Sequence, residues 1–319
     1  MRVLITGGAG FIGSNLVAAL LKDERVTFVR VLDNLATGSI NNIKEFFDHP
    51  KFEFTEGDIR NYTTCLQATT GIDVITHQAA LGSVPRSIND PLTSNEVNVT
   101  GTLNIFNAAK ENICKRVVYA ASSSTYGDHP GLPKVEDVIG NPLSPYAVTK
   151  YVNELYARVY GNLYGMEIIG LRYFNIFGPK QNPNGPYAAV IPLFAEALIK
   201  NIAPVINGDG SHSRDFTFVD NAVQANILSL FTTDKEAINQ VYNIACGEQT
   251  SLLELFNGLK QQAGTSLDPV HGPDRRGDVK HSLADISKAK NLLHYNPSVS
   301  VQEGLAKTFA WYKNNLTNK

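Results

Sequence analysis

Short runs of apolar, β-prone residues recur along the first half of the chain and alternate with longer stretches of mixed polarity. Each run is continuously apolar, which is typical of strands that are buried on both faces of a sheet. The predicted strands cover residues 2–6, 27–33, 51–57, 73–77, 115–122 and 167–174, and the predicted helices between them cover 11–23, 61–69, 92–112 and 145–164. Repeated alternation of strand and helix predicts a doubly wound parallel sheet and therefore an α/β fold.

The pattern loosens beyond Asn175. Pro and Gly cluster at 178–192 and 204–210, and short apolar runs alternate with helix-like segments at 187–200, 219–233, 251–263 and 301–315. We therefore predict a first domain over residues 1–175 and a smaller α/β domain over residues 176–319. Part of the segment 214–246 is expected to cross back to the first domain.

Charge and composition argue against several classes of protein. The formal net charge of the 319 residues is −2, and interspersed acidic and basic residues predict neither a nucleic-acid partner nor a polybasic membrane patch. No run approaches the roughly 20 apolar residues of a membrane span, and residues 1–13 lack the apolar core and cleavage site of a signal peptide. Cys65, Cys114 and Cys246 are isolated, and the His residues have no metal-like spacing. We expect a soluble, cytoplasmic protein without a metal site.

A glycine-rich string follows the first predicted strand directly. "TGGAGFIG", residues 6–13, opens the first helix and contains Gly7-x-x-Gly10-x-x-Gly13. Glycines also make ordinary turns, but this position lets backbone N–H groups at a helix N-terminus face a pyrophosphate. Asp33 ends the second strand twenty residues after Gly13, where a carboxylate accepts hydrogen bonds from a ribose diol and repels a 2′-phosphate. These features predict a dinucleotide site that prefers NAD over NADP.

Hydroxyl side chains end the fifth predicted strand in "SSSTYG" (122–127), and "SPYAVTK" (144–150) follows after a loop. A turn cluster and a solvated helix face would account for both. However, Ser144 and Pro145 are a natural N-cap and first helical residue, which places Tyr146 and Lys150 one turn apart on one face. A phenol with a pKa near ~10 is a poor base at neutral pH. The neighbouring ammonium and a cationic nicotinamide would both favour the phenolate. Tyr146 is therefore interpreted as a base and Lys150 as the residue that lowers its pKa.

The motifs of the chain, in their order and spacing, resemble those of the extended short-chain dehydrogenase/reductases. The motifs are "TGGAGFIG", "GDIR" (57–60), "HQAA" (77–80), "NVTGTLN" (98–104), "SSSTYG", "YAVTK" and "LRYFNIFGP" (171–179). "NGDGSHSRDFTFVDNAVQA" (207–225) and "RRGDVKHSLADISKA" (275–289) extend the resemblance to the nucleotide-sugar members. Within that group the chain is most similar to UDP-hexose 4-epimerases. "QAALGSVPRSINDP" (78–91) and "NGPYAAVIP" (184–192) bring it close to the subgroup that acts on UDP-N-acetylglucosamine.

The resemblance implies an NAD-binding first domain, a nucleotide-sugar-binding second domain and a set of site residues. Tyr146 would be the base for the sugar 4-OH, Lys150 the residue that lowers the pKa of Tyr146, and Ser122 the residue that shares the proton. The implied cofactor residues are Gly7, Gly10, Phe11, Ile12, Asp33, Asn34, Asp58, Ile59, Gln78, Ala79, Ala80, Asn98, Tyr146, Lys150 and Tyr173. The implied substrate residues are Gly82, Ser83, Ser122, Ser123, Ser124, Tyr146, Asn175, Ala189, Val190, Gly208, Arg214, Arg275, Asp278 and Ser282.

The same resemblance bears on the type of reaction. Related 4,6-dehydratases carry an Asp-Glu pair after the catalytic hydroxyl and related decarboxylases a Glu, whereas this chain has Ser123 and Ser124. Epimerisation at C4 needs only the shared core, so it is the expected reaction. A small residue at Ser282, where a bulky Tyr would exclude a 2-acetamido group, favours UDP-GlcNAc/UDP-GalNAc, with UDP-glucose/UDP-galactose also accepted. A UDP-glucuronate epimerase and an NAD-sensing regulator without catalysis remain the alternatives.

The predicted helix 145–164 has apolar residues on more than one face. Val148, Val152, Leu155, Val159 and Leu163 accompany Tyr151, Tyr156 and Tyr160. One stripe is expected to pack on the sheet. A second stripe, with the 92–112 helix, would form the four-helix homodimer interface that the resemblance implies, although a fully buried helix would show the same pattern.

Overall fold

A parallel β-sheet forms the centre of the chain in the computed structural model, which describes residues 1–183, 188–273 and 280–316. The strands are β1 (Arg2–Thr6), β2 (Phe28–Asp33), β3 (Phe52–Glu56), β4 (Val74–His77), β5 (Arg116–Ser122), β6 (Glu167–Tyr173), β7 (Ile176–Phe177), β8 (Val205–Asn207), β9 (Ser213–Arg214), β10 (Thr217–Phe218), β11 (Val241–Ile244), β12 (Thr250–Ser251) and β13 (Val270–Gly272). The central sheet has the order β3–β2–β1–β4–β5–β6–β11, and all neighbouring strands in it are parallel. The strand order reverses between β1 and β4, which is where ligands bind in such folds. The predicted doubly wound α/β sheet is confirmed.

Helices connect the strands and cover both faces of the sheet. They are α1 (Phe11–Leu20), α2 (Tyr62–Thr69), α3 (Val84–Asn89), α4 (Pro91–Asn95), α5 (Gly101–Glu111), α6 (Pro145–Tyr164), α7 (Val190–Ile199), α8 (Val219–Phe231), α9 (Leu252–Ala263), α10 (Ser287–Leu293) and α11 (Val301–Leu316). Short 3₁₀ turns lie at Ile40–Asn42, Lys44–Phe46, Ser123–Tyr126 and Lys235–Ala237. No helix of the described ranges is both long and apolar enough to cross a membrane.

Each face of the sheet has its own hydrophobic core. Val3, Ile5 and Val118 point into the core shared with α1 and α8, while Leu4 and Val117 point into the core shared with α2, α5 and α6. Successive strand residues point to opposite faces, so both faces are apolar only when the whole run is apolar. The core on the α1 side continues into α7, α9 and α11 of the C-terminal part. The two parts of the chain therefore share one core.

Two elements that come after residue 175 pack directly on the central sheet. Strand β11 pairs with β6 at the edge of the sheet, and helix α8 lies against β4, β5 and β6. The buried Arg116 of β5 holds the end of α8, since its Nη1 donates to the carbonyls of Ser229, Leu230 and Thr232 at 2.9, 3.1 and 2.8 Å. A cation at a helix C-terminus satisfies carbonyls that have no partner within the helix. The predicted division into domains at residue 175 stays a prediction.

Some predicted boundaries differ from the structure. The helix predicted over 92–112 is instead α4, a π-helical turn at Glu96–Thr100 and α5. The helix predicted over 187–200 is described from Val190 to Ile199, and residue 187 lies outside the described residues. Periodicity of apolar residues does not distinguish a π turn from continuous α-helix, because one added residue shifts the apolar face only locally.

His77, at the end of β4, lies wholly inside the protein near Lys150. Its Nδ1 is 2.6 Å from Thr6 Oγ1 and its Nε2 is 3.0 Å from Thr102 Oγ1. Thr102 donates its own hydroxyl proton to the Asn98 carbonyl, so a hydrogen on Nε2 fits this arrangement. Burial, with the positive charge of Lys150 as a smaller cause, lowers the pKa of His77 to about 3.

This shift predicts acid sensitivity of folding. Between the unfolded pKa of about 6.5 and the folded pKa, the unfolded chain binds a proton that the folded protein does not bind. The free energy of unfolding should therefore fall as the pH is lowered through this window, by up to about 1.4 kcal/mol per pH unit from this residue. The free energy of unfolding would be measured by urea denaturation at several values between pH 7 and pH 4.5. Its slope against pH should be smaller for His77→Gln than for His271→Gln, which replaces an exposed histidine. Equal slopes for the two variants would contradict the assignment.

Candidate active site

The glycine-rich loop joins β1 to α1 at the carboxyl edge of the sheet. Gly7 has φ +69, and a Cβ built there would lie 2.7 Å from the backbone nitrogen of Ala79. A Cβ on Gly13 would lie 2.1 Å from the Gly7 carbonyl oxygen. Only glycine allows this approach of the first helix to the strand and loop. The loop thereby leaves the first backbone N–H groups of α1 facing the crevice where the strand order reverses.

Asp33 ends β2 beside this loop. Its Oδ2 accepts a hydrogen bond from Ala9 N at 2.9 Å, and its Oδ1 accepts one from Leu35 N at 2.8 Å. Burial raises the pKa of Asp33, while the two backbone donors oppose the shift. The carboxylate therefore holds the glycine loop in addition to facing the crevice.

A cavity of about 490 Å³ runs from the glycine loop and Asp33 to Ser122, Tyr146 and Lys150; we call it the glycine-loop cavity. All of the residues assigned to the cofactor from the sequence line it except Asp58 and Asn98. Asp58 lies behind Asn34, whose Nδ2 donates to it at 2.9 Å. Ile59 and Arg60, the residues that follow Asp58, line the cavity in its place.

Asn98 supports the cavity wall from the π turn. Its Oδ1 accepts from Leu81 N at 2.8 Å, and its Nδ2 donates to the Leu81 carbonyl at 3.1 Å and to Thr149 Oγ1 at 3.1 Å. Leu81 itself lines the cavity. The motif "NVTGTLN" thus predicted that Asn98 belongs to the site. The Asn98 side chain, however, binds the backbone of Leu81, which lines the cavity, and does not line the cavity itself.

The start of α6 places the candidate catalytic pair. Ser144 Oγ accepts from Ala147 N at 3.2 Å, and Pro145 is the first helical residue, as predicted from the sequence. Tyr146 and Lys150 follow one turn apart, and Lys150 Nζ lies 5.9 Å from the centre of the Tyr146 ring. Lys150 Nζ also donates to the Ala120 carbonyl on β5 at 2.9 Å. This bond fixes the ammonium beside the strand that ends in Ser122.

Burial is the largest influence on the pKa values of both side chains. Burial raises the pKa of Tyr146 above its usual value of about 10, and a hydrogen bond with Ser122 opposes that shift. Burial also lowers the pKa of Lys150 to about 8. Loss of hydration is thus the largest cause of the shift at both side chains.

Two more cavities adjoin the first one. The Phe216 cavity, about 320 Å³, is lined by Ser83, Ala189, Val190, Asn175 and Arg214 together with Phe216. The Ser282 cavity, about 390 Å³, is lined by Ser122, Ser123, Ser124, Asn175, Arg214, Lys134 and Ser282. Asn175 lines all three cavities and has φ +39, and Ser83 has φ +107. Strained backbone at such residues is common where binding sites are built.

The remaining substrate residues assigned from the sequence are distributed as follows. Gly82 lines the glycine-loop cavity. Gly208 lies in a turn, with its N–H bonded to the Gly272 carbonyl at 2.9 Å, and lines none of the three cavities described above. Arg275 and Asp278 lie outside the described residues.

Sequence reasoning missed several lining residues. Lys134 lines the Ser282 cavity, Phe216 the Phe216 cavity, and Gln181 the glycine-loop cavity. The Oε1 of Gln181 is buried and has no hydrogen-bond partner among the described residues. Phe216 lies within a quoted motif and could have been found from it. Gln181 and Lys134 lie in loops rich in Pro and Gly, where a polar residue carries no signal of its own.

The fold is that of a dinucleotide-binding α/β protein, and Ser122, Tyr146 and Lys150 line one cavity with its glycine loop. The model of the NAD dependent epimerase/dehydratase family matches residues 3–245, so the chain belongs to that family and its cofactor is NAD. The chain is 38% identical to a putative UDP-glucose 4-epimerase of Methanocaldococcus jannaschii, over 98% of this chain and 99% of that protein. The predicted family membership is confirmed.

Solved structures of two UDP-sugar 4-epimerases superimpose closely on this chain. The UDP-N-acetylglucosamine 4-epimerase of Methanobrevibacter ruminantium, in complex with UDP-N-acetylmuramic acid, superimposes with a TM-score of 0.93 at 37% identity, covering 98% of each chain. The UDP-glucuronic acid 4-epimerase of Bacillus cereus, in complex with UDP-glucuronic acid and NAD, has a TM-score of 0.91 at 33% identity, covering 99% of this chain and all of that one.

The residues of the glycine-loop cavity fit NAD. Gly7 and Gly13 allow the close packing of the loop on Ala79 and of α1 on the loop that a pyrophosphate-binding turn requires, Gly10, Phe11 and Ile12 line the cavity there, and Asp33 lies beside that loop. The nicotinamide of NAD would add a second positive charge to that of Lys150 near Tyr146, and both favour the phenolate.

We expect replacement of Asp33 by Ser to weaken NAD retention and to relax discrimination against NADP. The carboxylate would no longer repel a 2′-phosphate, and the bond that holds Ala9 would be lost. The NAD content of purified protein and the affinities for NAD and NADP would be measured. Asp33→Asn separates the two effects, because its side chain keeps an acceptor but no charge. An unchanged preference for NAD in both variants would mean that Asp33 does not face the ribose.

Proposed function

We propose that this protein is an NAD-dependent UDP-sugar 4-epimerase whose preferred substrates are UDP-GlcNAc and UDP-GalNAc, with UDP-glucose and UDP-galactose also accepted. The observation that carries the proposal is the position of Ser122 and Tyr146. Ser122 lines both the glycine-loop cavity and the Ser282 cavity, and Tyr146 beside it lines the first. A sugar in the Ser282 cavity would therefore meet the hydroxyl pair and the cofactor at one point.

In the proposed reaction, the hydride and the proton that are removed at C4 of the sugar are both returned to it. NAD, held by the residues of the glycine-loop cavity, would supply hydride transfer from C4 of the sugar and back to the opposite face of the transient 4-keto sugar. Tyr146 would take the 4-OH proton and give it back in the second half-reaction, and Ser122 would share that proton by a hydrogen bond. Lys150 would hold its positive charge beside the phenolate. No net oxidation results, so NAD is regenerated in every cycle.

The residues next to Ser122 favour epimerisation over elimination. Ser123 and Ser124 line the Ser282 cavity, and Ser124 Oγ donates to Ser122 Oγ at 2.8 Å. Elimination of water from the sugar needs an acid beside the reacting carbons. Hydroxyls at ordinary pKa do not protonate a leaving group efficiently at neutral pH.

The preference for N-acetylated sugars rests on Ser282. Its backbone N–H donates to the Ser213 carbonyl at 3.1 Å, which fixes this segment beside Arg214 on the wall of the Ser282 cavity. The small side chain leaves space in the cavity that a larger residue would fill. Space of this kind would accept a 2-acetamido group.

UDP-glucuronate is the second candidate substrate, and Lys134 is the observation in its favour. Lys134 is buried on the wall of the Ser282 cavity, its Nζ donates to the His129 carbonyl, and within the described ranges no carboxylate forms an ion pair with it. A buried ammonium without a counter-ion is costly, and a carboxylate on the sugar would compensate for it.

One assay tests these proposals together. The purified enzyme would be incubated separately with UDP-GlcNAc, UDP-glucose and UDP-glucuronate, and kcat/KM would be compared for the formation of each 4-epimer. The highest value for UDP-GlcNAc would support the first candidate, and the highest value for UDP-glucuronate would support the second. Bound NAD without turnover of any UDP-sugar would instead favour a regulator that has lost catalysis.

An apolar stripe on α6 supports the proposal of a homodimer. Val148, Leu155, Val159 and Leu163 are 47, 43, 46 and 70% exposed along one side of the helix, and Leu92 of α4 is 77% exposed. A contiguous apolar face of this kind commonly marks a protein–protein interface. Joining α4–α5 and α6 of two copies would form the four-helix interface.

Light scattering at micromolar concentration should therefore give twice the chain mass of 34.8 kDa. Val159→Arg should shift the protein toward the monomer mass, because it places a charge in the middle of the stripe. Ile202→Arg, at an exposed apolar residue outside the stripe, is the control. A monomer mass for the unmodified protein would refute the dimer.

A further inference from the structure

Asn226 of α8 is the centre of a buried hydrogen-bond network. Its Oδ1 accepts from Thr76 Oγ1 at 3.0 Å and from Gln78 Nε2 at 3.1 Å. Its Nδ2 donates to Tyr173 OH at 2.7 Å and to the Ala222 carbonyl at 2.8 Å. These four bonds use both acceptor and both donor positions of the amide. The orientation of the Asn226 side chain is therefore fixed.

Two partners of Asn226 are also bonded to each other. Tyr173 OH donates to Gln78 Oε1 at 3.1 Å, and Gln78 Nε2 donates to Thr76 Oγ1 at 2.8 Å. Gln78 follows β4 and Tyr173 ends β6, so the bond bridges the two strands that flank β5. Both side chains line the glycine-loop cavity, whereas Asn226 lies outside it and is fully buried.

We propose that Asn226 is a positioning residue for the cofactor: it orients Gln78 and Tyr173 at the end of the glycine-loop cavity that also contains Tyr146 and Lys150. Without Asn226, Gln78 Nε2 loses an acceptor and the Tyr173 hydroxyl loses a donor. The orientation of the Gln78 amide and of the Tyr173 hydroxyl hydrogen would then no longer be fixed. The proposal rests on NAD as the cofactor of the family and not on the identity of the sugar. It also makes the cofactor site depend on a helix from the C-terminal part of the chain.

Asn226→Asp tests the proposal because it keeps the size of the side chain and replaces the donor nitrogen by an acceptor. In its ionised form the new carboxyl only accepts, so Tyr173 would donate to it instead of to Gln78, and the Gln78 Oε1 would lose its donor. In its protonated form, which burial favours, the carboxyl keeps one donor where the amide had two. The amide of Gln78 could then rotate in the cavity. The Ala222 carbonyl would lose its side-chain partner as well, so a general loss of stability has to be separated from the effect on the cofactor.

Ser229→Ala provides the matched control. Ser229 lies on the same helix, is fully buried, and its Oγ donates only to the Ala225 carbonyl at 2.8 Å. This variant removes a buried hydrogen bond of α8 without touching Gln78 or Tyr173. Thermal unfolding would be measured for both variants to compare their stabilities.

Two readouts carry the test. The first is the rate at which bound NAD exchanges with labelled NAD, measured without any UDP-sugar, so its outcome does not depend on the proposed substrate. The second is kcat and KM for the 4-epimerisation. For Asn226→Asp we expect exchange at least about 10-fold faster and kcat lower by about 10- to 100-fold, with KM within about threefold, since small displacements of reacting groups have effects of this size. Ser229→Ala should leave both within about twofold.

The proposal is overturned if Asn226→Asp lowers the unfolding temperature but changes NAD exchange by less than about threefold relative to Ser229→Ala. Failure of Asn226→Asp to fold would shift the test to Tyr173→Phe. This variant keeps the ring and removes the hydroxyl that joins Asn226 to Gln78. Faster NAD exchange in Tyr173→Phe supports the proposal, and unchanged exchange overturns it.

Discussion

Tyr146→Phe is expected to lower kcat for epimerisation by about 100- to 10,000-fold while NAD stays bound. The substitution removes the proposed base for the 4-OH proton, and the neighbouring Lys150 does not replace it, because its ammonium, with a pKa lowered to about 8, is mostly protonated at neutral pH. The phenyl ring keeps the packing of the phenol. Steady-state kinetics and the NAD content of the purified variant would be measured.

A control on the same helix separates loss of chemistry from loss of structure. Tyr151→Phe also removes one phenolic hydroxyl from α6, but Tyr151 lines none of the three cavities of the site. It should retain near-normal turnover. Near-normal activity of Tyr146→Phe itself would remove Tyr146 as the base and with it the proposed mechanism.

The second large effect is expected for Ser282→Tyr. The added ring would fill the space in the Ser282 cavity that is proposed for the 2-acetamido group, so kcat/KM for UDP-GlcNAc should fall steeply. Overpacking of a close-packed site typically costs about 1–3 kcal/mol, which corresponds to roughly 5- to 150-fold. UDP-glucose, whose 2-OH does not need this space, should keep most of its kcat/KM.

Ser282→Ala is the control, since it changes the polarity of the residue without adding bulk. An equal loss for both substrates in Ser282→Tyr would indicate general damage to the cavity. No loss for either would show that Ser282 faces away from the sugar. Discrimination would then have to arise elsewhere, with Gly82 and Ala189 as the next residues to test.

The sequence predicted the parts of the site whose geometry is set by residues that are consecutive in the chain. A strand, a glycine turn and a helix must be consecutive to form the pyrophosphate loop, and the Asp33 position follows from the length of the next strand. Ser144 and Pro145 likewise specify where α6 begins, and this sets the spacing of Tyr146 and Lys150. These predictions needed no knowledge of long-range contacts.

The parts that could not be predicted depend on contacts between distant segments. Asn226 reaches Gln78 and Tyr173 only because α8 packs on the central sheet, about 150 residues after Gln78 in the chain. The π turn at Asn98 lies between α4 and α5 and packs on α6, which is distant in the sequence. The raised pKa of Tyr146 depends on burial, which the types of neighbouring residues do not reveal.

The late position of strand β11 in the chain has a consequence for synthesis on the ribosome. Residues 2–173 contain six strands of the central sheet, but β6 has no second neighbour until residues 241–244 have been made. At a typical 5–20 residues per second, a nascent chain would expose this unpaired edge for several seconds. Exposed edges pair readily with other strands. Between the translation of β6 and the translation of β11, the nascent chain therefore has an edge open to pairing that the finished protein covers.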